Sequence, residues 1–166
     1  MLVMPDLHVL VLGLGDPEQG NDGIGGRLVQ SLRASLDDAD VRRASDFPGF
    51  AEILHDYDLV IVMRSLSYRG NIGHVSLGSP YALEDAAGRT PREAEPLAKA
   101  IAYARLMGHT LPRIEVVNVC VGTEDWPEPR LSPAVASMYD EIVGRVRSLV
   151  KHIIRESRHP VRPFGP

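Results

Sequence analysis

The chain predicts a three-layer α/β sandwich: a mainly parallel, twisted sheet of about five strands with helices on both faces. Three observations carry that prediction. Short runs such as LHVLVL, LVIVM and IEVVNVCV are apolar nearly throughout, which suits strands covered on both sides. Other segments repeat apolar residues every three or four positions, the spacing of an amphipathic helix. The two patterns alternate, and strands alternating with helices build parallel sheets. The 166 residues suit one ordinary domain. Its expected span is 1–156, with 157–166 a flexible tail that carries three prolines and no apolar period.

The elements follow in order. A first strand over 7–12 stops at Gly13 and runs into a loop rich in Gly, Asp and Asn. Ile24, Leu28, Leu32 and Leu36 then draw one helical stripe, with Asn21 or Asp22 as its expected N-cap. A second strand is expected to end at Asp46, before a turn at Pro48-Gly49 and a short helix through Leu54. Residues 59–63 form the clearest strand, and after a polar loop 74–77 can return as a hairpin strand. Residues 78–89 read as surface loop. Thr90-Pro91-Arg92-Glu93 has the form of a helix start, with Thr as N-cap, Pro at the first position and Glu three after the cap. Leu97, Ile101 and Ala104 give that helix an inner face, and Gly108 stops it. Residues 114–121 are the last strand. Ser132-Pro133 opens a final helix whose apolar stripe runs over 135–153.

Composition narrows the function. Eighteen basic against 22 acidic residues leave a net charge of −4, the wrong sign for a nucleic-acid binder driven by phosphate contacts. There is no 18-residue apolar run, so no membrane span is expected, and MLVMPDLHVL has no basic region of a signal peptide. The single cysteine, Cys120, excludes an internal disulfide and suits a reducing cytoplasm. A cytoplasmic monomer is the expectation.

In a parallel α/β sheet ligands sit beyond the carboxyl ends of the strands, so the loops there are where chemistry is sought. Gly13 and Gly15 begin a dinucleotide fingerprint, but its third glycine falls on Glu18, and Asp16, Glu18 and Asp22 would repel a pyrophosphate. No G-K-[ST] follows, so there is no P-loop. No G-x-S-x-G places a serine at a nucleophile elbow, and Ser79 lies in a loop. Cys120 alternates with valines as a core residue does, and the six histidines have no zinc spacing.

The segment 9–27, VLVLGLGDPEQGNDGIGGR, resembles the opening of the nickel-iron hydrogenase maturation proteases. In that family an apolar strand runs into Gly-x-Gly-Asn, and an acidic pair followed by Gly-x-Gly begins the first helix. Here the pair is Asn21-Asp22 and the glycines are Gly23 and Gly25. The likeness continues over 59–77 and again over 116–150, where NVCVGTEDWPEPRLSPAVASMYDEIVGRV has the family's strand, loop, Leu-Ser-Pro and long helix.

The resemblance implies an endopeptidase that removes the C-terminal peptide of a hydrogenase large-subunit precursor after nickel insertion. It implies no permanently bound cofactor; the precursor's nickel is met transiently. The implied metal-recognition residues are the second acid of the first loop, an aspartate at the end of the third strand, and a histidine at the start of a later helix. Asp22 matches the first, as ligand and as catalytic carboxylate. The second falls on Met63, followed by Arg64, a soft neutral thioether and a fixed cation in place of a carboxylate. Counting back from Gly108, the third falls on Glu93, which is either a ligand or the capping partner of Thr90. Asp22 likewise has a competing reading as an acid favoured by a helix start. Asp46 and His74 complete the expected lining. Two functional classes follow: a maturation endopeptidase with a rearranged site, and a non-catalytic accessory or binding protein for a hydrogenase subunit. The partner is the large-subunit precursor in the first class.

Overall fold

A computed structural model describes residues 6–79 and 94–159, apart from the side chain of Glu52. The Thr90–Glu93 helix start, most of the loop expected over 78–89, and the tail beyond His159 lie outside those residues. Strand β1 (Val9–Gly13) leads through a 3-10 turn (Gly20–Gly23) into helix α1 (Ile24–Leu32). Then come β2 (Asp40–Arg43), α2 (Phe50–Asp56), β3 (Leu59–Leu66), β4 (Val75–Gly78), α3 (Glu95–Leu106), β5 (Arg113–Cys120) and α4 (Pro133–Arg158). The sheet order is β2-β1-β3-β5-β4. All neighbouring pairs are parallel except β4 with β5.

Each face of the sheet carries its own core. Val9, Val11, Leu59, Ile61 and Met63 face α1 and α4, where they meet Ile24, Leu28, Leu32, Val146 and Val150. Leu10, Leu12, Val60, Val62 and Val116 face α2 and α3, against Ile53, Leu97 and Ile101. Strand alternation accounts for the division, since successive side chains point to opposite faces. Each such large side chain contributes roughly 1.5–3 kcal/mol when taken out of water. The sheet is therefore the middle layer of three, as the alternation of patterns predicts. Among the described residues no helix is long and apolar enough to cross a membrane.

Four expectations need correction. Helix α1 is capped by Gly23 rather than by Asn21 or Asp22, because the chain first makes a 3-10 turn and Asn21 turns its side chain elsewhere. Strand β2 ends at Arg43, and Ala44–Asp46 is a 3-10 turn closed by the Asp46 carboxylate, which accepts from the Arg43 amide at 3.1 Å. The returning strand β4 pairs with β5, not with β3, so no hairpin joins β3 and β4. Helix α4 continues through Ser157 and Arg158, where Arg113 donates to the Ser157 hydroxyl at 2.9 Å and Arg158 pairs with Asp38 at 2.6 Å.

Candidate functional site

The sheet order locates the place to look. Strands β2 and β3 flank β1, so the crossover from β1 to β2 and the next from β2 to β3 run in opposite directions and open a crevice at the carboxyl end of β1, toward β3. The Leu14 amide donates to the Met63 carbonyl at 2.9 Å, closing the strands just below that crevice. The first turn of α1 sits directly on them. A β-carbon on Gly25 would come within 2.5 Å of the Met63 carbonyl oxygen, so only glycine permits this approach. Gly15, at φ +94°, makes the turn that brings the chain back over the strand end, with the Asp22 carbonyl against its α-carbon.

Asp22 therefore lies on the 3-10 turn at the mouth of the crevice, with an exposed side chain. A cleft of about 250 Å³ opens beside the same loop, lined by Gly13, Gly15, Asp16, Gln19, Arg43 and Ser45. Its lining includes one acid, Asp16, and one base, Arg43, which is paired with Asp46 at 3.9 Å.

The remaining expected residues are not all gathered here. Met63 stands level with Gly13, the last residue of β1, but its side chain is 0% exposed and belongs to the α1–α4 core. Arg64 is next along β3 and points to the opposite face, in line with Val60 and Val62. It is only 4% exposed, and its Nε donates to Asn118 Oδ1 at 2.8 Å from the register position beside it on β5. Asp46 sits beyond β2 and closes its own turn. His74 lies just before β4, two strands beyond β3, and lines a groove of about 960 Å³ with Ile72, Met138, Glu141, Arg145 and Leu149. Glu93 lies outside the described residues. Among the described residues no three His, Cys, Asp or Glu side chains form a group able to hold a metal ion.

Two polar contacts at this edge escape sequence reasoning. The Asn21 amide and Ser132, the N-cap of α4, bond reciprocally at 3.0 Å in both directions. The Arg64–Asn118 pair is the other. Its signal is a polar residue in the middle of IEVVNVCV and a cation within LVIVMRSL, but only the strand register shows that they meet.

Neither a protein-family profile nor a curated protein sequence matches the chain. Solved structures do. The hydrogenase maturating endopeptidase HybD from Escherichia coli aligns with a TM-score of 0.68 and 18% identity, over 88% of this chain and 93% of that one. The NiFe hydrogenase maturation protease HycI from Thermococcus kodakarensis aligns at 0.62 and 18% identity, over 91% and 94%. A hydrogenase 2 maturation peptidase from a Thaumarchaeota archaeon aligns at 0.57 and 23% identity, over 89% and 97%. The chain therefore has the fold of the hydrogenase maturation endopeptidases, over nearly the full length of the proteins it resembles.

Proposed function

We propose that this protein is an endopeptidase of nickel-iron hydrogenase maturation, removing the C-terminal peptide of a large-subunit precursor after nickel insertion. The observation that carries the reading is the position of Asp22: an exposed carboxylate at the carboxyl-end crevice of a fold shared with maturation endopeptidases. Asp22 supplies a hard oxygen ligand to the precursor's nickel and a proton acceptor at the peptide to be cleaved. The neighbouring cleft takes the chain on one side of that bond. Glu93 supplies a second carboxylate in this reading. The protein itself holds no resident metal, and it meets its precursor in the cytoplasm as a monomer.

A specific observation favours a second reading. Met63 stands where the resemblance asks for aspartate, and its complete burial removes it from contact with any metal. A chain so altered binds the hydrogenase subunit as an accessory protein without cutting it. Incubation with a nickel-loaded precursor separates the two. The proteolytic reading requires a shortened large subunit on a gel, lost with Asp22→Ala. The accessory reading requires a stable complex and an unshortened subunit.

A further inference from the structure

We infer that Asn21 and Ser132 form a latch that positions Asp22, an inference that rests on the proteolytic reading above. The two residues are 111 positions apart in sequence, and they are 7% and 1% exposed. Asn21 Nδ2 donates to the Ser132 hydroxyl, and the Ser132 amide donates back to Asn21 Oδ1, both at 3.0 Å. The same hydroxyl accepts the Val135 amide at 3.4 Å, so the cap of α4 and the anchor of the loop are one oxygen. A second tie lies alongside. The Gly20 amide and Arg27 Nη2 both donate to the Pro129 carbonyl at 3.0 Å.

These bonds tie the loop at Gly20 and Asn21, just before Asp22, and tie Arg27 of the following helix to the same segment. Asn21 is its immediate neighbour, about 3.8 Å away between α-carbons, so a fixed Asn21 fixes the Asp22 backbone. Asp22 is exposed, so core packing does not set its place, and the anchored backbone just before it contributes to doing so. The other end of the latch is the rigid start of the 26-residue α4. Asn21 is thus a positioning residue, and its amide is matched to Ser132, offering one donor and one acceptor. An aspartate there would still serve, since the Ser132 amide and hydroxyl can both donate to a carboxylate. A leucine would leave the buried Ser132 amide without its partner.

The test compares Asn21→Leu and Asn21→Asp with the natural full-length chain, by amide hydrogen exchange and by cleavage of a nickel-loaded precursor. The latch predicts that Asn21→Leu loses protection at Ser132 and Gly20 while Leu10 and Val11 keep theirs. It also predicts a kcat lower by about tenfold to a hundredfold with KM little changed, the signature of a misplaced group. Asn21→Asp restores both. Unchanged protection in Asn21→Leu overturns the latch, and lost protection with unchanged kcat overturns its positioning role. If the natural chain cleaves nothing, the proteolytic reading fails by itself and, with it, the positioning role.

Discussion

Met63 and Arg64 are adjacent in sequence yet face different layers, and this decides what each can do. Met63 is fully buried in the same core cluster as Ile61 and Ile24, so it behaves as core. Met63→Leu should cost less than about 1.5 kcal/mol, whereas Met63→Asp should cost about 3 kcal/mol or more by burying an unpaired carboxylate. Urea denaturation measures both, and a well-tolerated Met63→Asp would show that the position is wet. Tyr57 gives a pH signature. Burial, then its hydroxyl's 2.7 Å bond to Asp40 and the charge of Asp40, push its pKa from 10.0 up to about 12. The folded state thus favours the protonated phenol. That stabilisation is whole below pH 10 and is lost as pH rises toward 12. Denaturation midpoints should fall over that window, and Tyr57→Phe should flatten the fall.

At the scale of elements, two glycines in helices behave oppositely. Gly25 seats α1 on the strand ends, so Gly25→Ala must push the helix off the Met63 carbonyl and should destabilise by about 2 kcal/mol or more. Gly144 lies in α4 with nothing within 4 Å of a β-carbon, so Gly144→Ala should stabilise by about 0.5–1 kcal/mol. Thermal melts of the two variants should move in opposite directions. The helical stripes of α1 and α4 and the Ser132 cap were legible because they depend on spacings of three and four residues. The end of β2 and the cap of α1 were not. In both places a 3-10 turn competes with the regular element: the first is tied to the distant Ser132 through Asn21, and the second is closed locally by the Asp46 carboxylate on the Arg43 amide.

For the whole molecule, the layer order and the carboxyl-end location of the first loop follow from the alternation of patterns. The partner of β4 and the Asn21–Ser132 latch do not, since both join segments far apart in the chain. The same distance limits the site. Asp22 is marked in the sequence only by the resemblance and by its place before a helix; its exposure comes from the fold. His74 is set apart from it by the sheet order, which local sequence leaves open, whereas Asp46 follows β2, the neighbour of β1. With no grouped ligands among the described residues, the purified protein should hold well under one equivalent of nickel or zinc by elemental analysis. The most direct test of the account is the intact mass of a hydrogenase large-subunit precursor after incubation with this protein. Nickel-loaded precursor should lose one C-terminal peptide of defined mass, nickel-free precursor should lose nothing, and Asp22→Ala should abolish the loss. A nickel-loaded precursor that keeps its full mass, or is shortened equally well by Asp22→Ala, would contradict it.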